Sequence, residues 1–477
     1  MTTTNGNKKI LDLKRWEFCT PAPANTAAGV CMASSNLRKQ LQLYLVNATT
    51  AYLYSPEEDG YVQLPSPALG GTFGAGAVAR SVNWSVGTSV GSLALTATAG
   101  STTTITTNQT LARDLRGFHV HFLAGTNAGK VKEIASNTIG SNGVITFTEA
   151  EGAAFDNTSQ YRLLTPRWFV VNAGTAGAAT WKFYDYATNT WTAAAQNPAN
   201  GATDGRLVIP GTYYNGSSFE YFASGTATGG TGTTLQNSGK AWTTNQWTNY
   251  QVIITGGTGA GQVRTITAND ATSITVATWG TNPSTDSTYV ITGNDDHIYW
   301  LGNGAVTLYR YNLGANTWTT LSPGVARGGA PGAGMSASFA SKVTDSSWTN
   351  ENAIINGRRI YSFRGGGVAT LDYYDIPSNA WTNAITYSPA TETFTTGSKY
   401  IYTGNYIYIQ KEATGRWFRY SIPESNMEGW TTMLYTQGAA VVGDTAFDVD
   451  YVDGATTIKY IYMVINTGAV VLRMMVI

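Results

Sequence analysis

One short hairpin recurs along this chain, and it restricts the fold more than any other feature. Residues 306–321 read VTLYRYNLGANTWTTL: an alternating apolar strand carrying Leu308, Tyr309, Tyr311 and Leu313, a Gly-Ala-Asn turn, and a second strand opening on Trp318. Variants stand at 181–191 (WKFYDYATNTW), 371–381 (LDYYDIPSNAW) and, with a longer turn, 417–430 (WFRYSIPESNMEGW). A weaker copy at 51–64 (AYLYSPEEDGYVQL) puts Tyr61 in the Trp position. A single hairpin cannot bury its own apolar face, so a chain that repeats one must stack the copies.

Calling the hairpin strands c and d, two further strands complete a unit. Strand b reads RIYSF at Arg359–Phe363, HIYWL at 297–301 and RWFVV at Arg167–Val171, with glycine-rich b–c turns at 365–367, 302–304 and 174–177. Strand a is built of small residues, GAGAVARSV at 74–82 and GMSASFA at 334–340. Small side chains suit an innermost strand where blades converge on an axis. Pro- and Gly-rich joins at 65–71, 198–205 and 323–332 separate the units. The last unit, 445–477, supplies a, b and c but no d, whereas 13–21 (LKRWEFCTP) reads like a d strand and its exit. The expected fold is therefore all-β: a six-bladed propeller closed by the N-terminal strand, which removes an exposed sheet edge.

The spacing from Trp381 to Trp430 fits one blade, but Trp191 to Trp318 is far too long. The excess falls at 224–292, and an equivalent excess at 87–165. The two stretches resemble each other: RGFHVHFLAGTNAGKVKEIASN at 116–137 against TNYQVIITGGTGAGQVRTITAND at 248–270. They read as one small β-domain used twice, inserted between strands a and b of blades 2 and 3. The expected organisation is propeller 13–86, insert 87–165, propeller 166–223, insert 224–292 and propeller 293–477. Connections a–b and c–d leave a four-stranded meander on one face, so both inserts should project beside the c–d turns.

Composition narrows the function. Of 477 residues only 12% are charged, about half the usual share, and Lys+Arg and Asp+Glu are both 29. A formal net charge of zero argues against nucleic-acid binding of the usual kind, which needs a basic excess. No apolar run approaches the length of a membrane span, and the N-terminus lacks the pattern of a secretory signal. Cys19 and Cys31 could pair in principle; two buried thiols are the simpler reading. Such a chain suits an assembly component made inside a cell.

The motif formed by Tyr184, Asp185, Thr188, Asn189 and Trp191, with glycine-rich b–c turns, resembles kelch repeats and galactose-oxidase-like propellers, although consecutive glycines occur cleanly only at 365–367. That likeness implies fold and says little of function. Separately, KKILDLKRWEFCTPAPANTAAG and GGTGAGQVRTITAND are similar to segments of tailed-bacteriophage virion proteins. The similarity implies a structural part of a virus particle, in particular of its tail; some phage tail nozzle proteins are themselves propellers.

Candidate chemistry is sparse. GGTGAGQ at 256–262 lacks the Gly-Lys-Ser/Thr opening a helix that a phosphate loop needs, and reads as a hairpin turn. His119 and His121 share a strand face, the minimum for a metal pair, but the second insert has Gln251 and Ile253 there, which favours structural histidines over metal ligands. Galactose-oxidase copper chemistry fails on ligand count, since His297 is the only histidine outside the first insert. Asp448, Asp450, Asp453 and Gly454 approach a calcium loop with the spacing wrong and the distal Glu missing. Glu57, Glu58 and Asp59 fill a c–d turn and should be solvated; nothing indicates the convergent carboxylates of a glycosidase. Tyr299, Trp300, Tyr309, Tyr311, Tyr373 and Tyr374 alternate as inter-blade packing would. Trp242, Trp247 and Trp279 are the better binding candidates, because a small domain struggles to bury every large aromatic, and with His119 and His121 they make up the candidate interaction surface.

The resulting expectation is a non-enzymatic, tail-associated component of a phage virion, without cofactor or metal, assembled in the host cytoplasm. Its partners would be further copies of itself in a symmetric ring, such as a hexamer, and other tail proteins, with inserts and blade edges making the contacts. The rival is a carbohydrate-binding propeller that recognises host-surface glycan, and a weaker one a glycan-degrading enzyme.

Overall fold

One hydrogen bond gives the repeated hairpin its shape. The strand-c tyrosine donates to the side chain five residues on: Tyr184 to Asn189 Oδ1, Tyr311 to Asn316 Oδ1 and Tyr374 to Asn379 Oδ1 at 2.7 Å each, and Tyr54 to Asp59 Oδ1 at 2.6 Å. The acceptors sit at φ of 54°, 52°, 49° and 46°, the left-handed region that Asn and Asp tolerate best among residues with a Cβ. Across the turn the same tyrosine ring packs on the strand-d aromatic, Tyr184 on Trp191 at 5.3 Å, Tyr311 on Trp318 at 5.1 Å and Tyr374 on Trp381 at 5.5 Å. The copy at 417–430 does not have a longer turn. Ser425 takes the Asn place at φ 50°, and Met427, opposite Tyr420, takes the Trp place. Positions 417 and 430 are instead register partners farther from the turn.

The structure is a computed structural model that describes residues 16–24, 30–35, 37, 41–70, 77–171, 181–195, 205–210, 214, 216–339, 359–395, 398–403, 406–411, 416–431, 447–453, 456–464 and 471–476. Among these residues all regular structure is β-strand. Six four-stranded antiparallel sheets form a six-bladed β-propeller. Blade 1 runs through Cys31–Ser34, Gln42–Leu45, Ala51–Ser55 and Gly60–Gln63, and blade 2 through Val78–Val82, Arg167–Val171, Trp181–Asp185 and Thr190–Ala193. Blade 3 comprises Gly205–Val208, His297–Gly302, Leu308–Asn312 and Thr317–Thr320; blade 4, Ser338–Phe339, Arg359–Phe363, Leu371–Asp375 and Ala380–Thr382. Blade 5 comprises Lys399–Thr403, Tyr406–Gln410, Arg416–Ser421 and Asn426–Thr431.

Blade 6 takes Phe447–Asp453, Thr456–Val464 and Val471–Val476 from one end of the chain and Trp16–Phe18 from the other. Trp16 pairs with Met474 and Phe18 with Leu472, and Cys19 N donates to Val471 O at 3.0 Å. The strand is then latched to blade 1: Thr20 donates to Asp59 from its amide at 3.0 Å and from its hydroxyl at 2.9 Å. Asp59 is thus a solvated turn residue with a second task. Cys19 and Cys31 are both free and buried.

Strand a is shorter than its sequence pattern in blades 2 and 4; positions 74–76 and 340, the glycines at 174–177 and Gly454 lie outside the described residues. The Asp448–Asp453 stretch is strand a of blade 6. Neighbouring blades are joined by polar bonds and rings. Trp168 Nε1 donates to Ala33 O at 2.8 Å, Arg80 Nε to Leu207 O at 3.0 Å and Tyr400 Oη to Gly334 O at 2.6 Å. Trp181 stands edge-on to Tyr311 at 5.3 Å, Tyr299 lies 6.2 Å from Tyr374, and Tyr54 5.9 Å from Tyr462. Tyr299, Trp300, Tyr311 and Tyr374 are buried in these seams, so they offer no stacking surface. The strand-d indoles also hold the preceding join: Trp191 Nε1 donates to Pro65 O at 3.0 Å and Trp318 Nε1 to Ala195 O at 3.2 Å. Trp381 Nε1 finds no such acceptor, so what the three tryptophans share is their packing on the strand-c tyrosine.

Between strands a and b of blade 2, and again of blade 3, the chain builds a seven-stranded sheet. Insert 1 uses Leu95–Thr96, Ala99–Gly100, Thr104–Thr106, His119–Ala124, Val131–Asn137, Val144–Phe147 and Gln160–Leu164. Insert 2 uses Ala223–Thr226, Gly229–Gly230, Thr234–Gln236, Gln251–Gly256, Val263–Asn269, Ser273–Val276 and Thr288–Thr292. In both, the spatial order is first, seventh, fourth, fifth, sixth, third, second. Even the irregularities coincide, at Phe122/Ala124 and Ile254/Gly256, and at Ile134/Ser136 and Ile266/Ala268.

Candidate functional site: a crown of twin inserts

Both inserts rest on the c–d turns. Arg113 of insert 1 donates to Asn189 Oδ1 at 2.9 Å and to Tyr184 Oη at 3.0 Å, and Ala112 N donates to Ala187 O at 2.9 Å. Asn249 of insert 2 accepts from Arg310 Nη1 at 3.0 Å and donates to Ile376 O at 3.3 Å. The two sheets therefore stand side by side on one face of the propeller.

Their common anchor is Asp296, at the start of blade 3 strand b. Arg162 of insert 1 donates through Nη2 to both its oxygens, at 3.1 and 3.2 Å, and Gln251 of insert 2 donates to Oδ2 at 2.6 Å. Arg162 is 1% exposed and Asp296 7%. Removing such charges from water is costly unless further bonds satisfy them. Here the guanidinium also donates from Nε to Leu93 O at 2.8 Å and lies over the Trp84 ring, 4.0 Å from its centre. Beside this pair Asp295 is fully buried. Burial, and then the Asp296 charge, push its carboxyl well above the usual range, with Arg162 pulling the other way.

Above the anchor the inserts meet through equivalent glycine-rich turns. Positive φ recurs at Gly125, Asn127 and Gly129 (76°, 64°, 85°) and at Gly257, Gly259 and Gly261 (73°, 79°, 89°). Gly261 stands so close to insert 1 that an added Cβ would lie 2.7 Å from Gly129 N, Leu123 O and Phe122 O. A Cβ on Gly129 would lie 2.8 Å from the Ala260 methyl. Corresponding residues of the two copies thus touch each other. Next to this seam lies a groove of about 750 Å³, lined by both turns, by Gln160 and by Arg162 and Arg264. Gln262 braces one wall: its Oε1 accepts from Gly280 N at 2.6 Å and its Nε2 donates to Thr281 O at 2.7 Å. The GGTGAGQ stretch is accordingly a hairpin turn, and it forms part of the groove.

The residues singled out from sequence fall elsewhere. Trp242, Trp247 and Trp279 are 4%, 3% and 4% exposed, which corrects the expectation of surface aromatics: the seven-stranded sheet is large enough to enclose them, and Trp242 stacks edge-on with Trp247 at 6.4 Å. His119 and His121 are buried too, against Tyr214 at 5.3 Å and Phe219 at 4.9 Å. Burial, helped by the Arg162 charge, lowers the His121 pKa to about 3. His297 is buried in blade 3 beside Asn312, and burial lowers its pKa to about 3 as well. Among the described residues no three His, Cys, Asp or Glu side chains are grouped to hold a metal ion. Arg162, Gln251, Asp296 and Arg264 were not marked by any motif; the substitution of Val290 at the place of Arg162 was the available signal.

No protein-family model matches the chain, and no curated protein sequence is significantly similar to it. Among the described residues no helix is long and apolar enough to cross a membrane.

Proposed function

We propose that this protein is a non-enzymatic structural component of a tailed-phage virion, associated with the tail, assembled in the host cytoplasm and acting through its crown and blade edges. The observation that carries the reading is the Asp296 anchor, which fixes two copies of one domain side by side on a single face. A pair of domains locked to a ring, and to each other, presents a wide surface of fixed shape, as a subunit contact requires. The phage-like segments at the N-terminus and in insert 2, and the kelch-like hairpins, support the same assignment. Outer strands add a second surface: Phe18 on blade 6 is 75% exposed and Val62 on blade 1 is 54% exposed, apolar groups on sheet edges that favour association. The partners are further copies of the chain, in a symmetric ring such as a hexameric nozzle, and neighbouring tail proteins.

Mass photometry of the purified chain tests this. A closed oligomer is expected, dissociated by the exposed-edge double variant Phe18→Asp/Val62→Asp at unchanged melting temperature. A monomer at micromolar concentration that also fails to join purified tails contradicts the reading. The second reading, a propeller that binds host-surface glycan, is favoured by the groove between the inserts; a glycan-degrading activity would register as reducing-sugar release.

A further inference from the structure

The groove between the inserts has a chemical bias of its own. In a chain with equal numbers of basic and acidic residues, its lining holds two arginines, Arg162 and Arg264, and no carboxylate. The two differ in one respect. Asp296 answers the charge of Arg162, whereas no carboxylate pairs with Arg264 among the described residues. Arg264 is nonetheless held in place: Nε donates to Thr278 O at 2.7 Å, Nη1 to Val263 O at 2.9 Å and Nη2 to Gln262 Oε1 at 3.4 Å. A guanidinium has five N–H donors, so an oriented cation with donors to spare faces the groove. Half-burial costs it solvation, and its own pKa is lowered for that reason; an incoming anion would recover that loss.

The remaining lining selects among anions. About 750 Å³ is within the roughly 300–1,000 Å³ of small-molecule sites, room for a few sugar residues. The walls are glycine and alanine turns with the amides of Asn127 and Gln160, groups that exchange hydrogen bonds with hydroxyls. No aromatic ring lines the groove, and Trp279 is buried with Arg264 6.0 Å above its centre, so a neutral sugar would find no stacking face. A duplex or single-stranded nucleic acid would need a run of cations tracking many phosphates.

We infer that the groove between the two inserts is a binding site for an acidic oligosaccharide, its carboxylate paired with Arg264 and its hydroxyls on the glycine-rich turns. The site stands independently of the assembly role, which the oligomer measurement tests separately.

The test is titration calorimetry of the full-length chain at low salt with tetragalacturonate and an α2,8-linked sialic acid tetramer. Maltotetraose and tetraglutamate serve as the neutral and the peptide controls. Binding of at least one acidic oligosaccharide is expected, at least tenfold tighter than either control and weakened severalfold between 20 and 200 mM salt. Arg264→Gln should lower it tenfold or more. Gln160→Glu, at an exposed position where folding is safe, should do the same by placing a carboxylate in the groove. Arg116→Gln, on the exposed surface of insert 1, should change nothing. Absence of binding by both acidic sugars, equal binding of maltotetraose, tighter binding of tetraglutamate, or full affinity in Gln160→Glu would each overturn the inference.

Discussion

Insert 1 and insert 2 share their strand order, register and irregularities, yet only one sheet face has been kept alike. On that face Val120 and Val252, Phe122 and Ile254, Ile134 and Ile266, and Tyr161 and Tyr289 occupy the same places and are all buried. Side chains alternate along a strand, so His119 and His121 stand on the opposite face, where insert 2 has Gln251 and Ile253; Arg162 likewise gives way to Val290. The conserved face builds the domain. The divergent face docks it, and there one copy reaches Asp296 with a charge and the other with a neutral amide. The same fold stands twice, and its separate seats on the propeller require different side chains.

The comparison breaks first at Asp296. Asp296→Ala strips the buried Arg162 of its ion-pair partner and leaves only the neighbouring Asp295 to answer its charge, a loss of up to about 3–5 kcal/mol, and hydrogen exchange should rise in both inserts. Arg162→Val, which copies insert 2, should raise exchange in insert 1 alone. If Asp296→Ala loosened only insert 1, Gln251 would not be an anchor and the two seats would be independent.

Acid sharpens the contrast next. His121 is held neutral, with a folded pKa of about 3 against about 6.5 in an unfolded chain. Protonation below pH 6.5 therefore favours unfolding, and the stability it carries is lost as pH falls from 6.5 to about 3, at up to about 1.4 kcal/mol per pH unit. His121→Ile, the residue of insert 2, should flatten the denaturation profile over that window. Asp295 has the opposite linkage: its raised folded pKa means stability is lost as pH climbs above the ordinary carboxyl value. Asp295→Asn should raise the melting temperature at pH 7, with the gain shrinking toward pH 4.

At the seam, Gly261→Ala forces a side chain into left-handed backbone, about 1–2 kcal/mol, and into three backbone atoms of insert 1. Gly129→Ala carries the same left-handed penalty at φ 85°, but its Cβ would meet the Ala260 methyl at 2.8 Å and the nearest backbone atom, Gly261 N, only at 3.3 Å, so it should cost less; equal costs would mean that the turns are not in contact. The smallest effect belongs to the hairpins, where Tyr311→Phe removes the bond to Asn316 for about 1 kcal/mol in urea unfolding, whereas Tyr309→Phe, with its ring only part-buried, should fall short of that.

Much of this was legible in the sequence. The Tyr-to-Asn interval and the following Trp were visible because one bond and one ring contact fix them in each blade, and the closing d strand was visible because Trp16 and Phe18 follow the same alternation. The copy at 417–430 misled because its extra tryptophans outweighed Met427, which fills the Trp place without resembling it. Inside the inserts, Ala99–Gly100 and Gly229–Gly230 went unseen, since two-residue strands carry no periodicity. The anchor was hidden for another reason: Arg162, Gln251 and Asp296 come together from distant parts of the chain, and nothing in their local neighbourhoods marks them. The buried tryptophans show the converse error, a judgement of exposure made from domain size when the number of strands was underestimated.

The central claim is that the inserts form one rigid crown. Cys19 and Cys31 are buried, so spin labels can be directed to new cysteines at Ser141 and Ala271, exposed positions on the two inserts, and their separation read by double electron–electron resonance. A single narrow distance distribution is expected, broadening in Asp296→Ala; a broad or two-peaked distribution in the otherwise unaltered chain would contradict it.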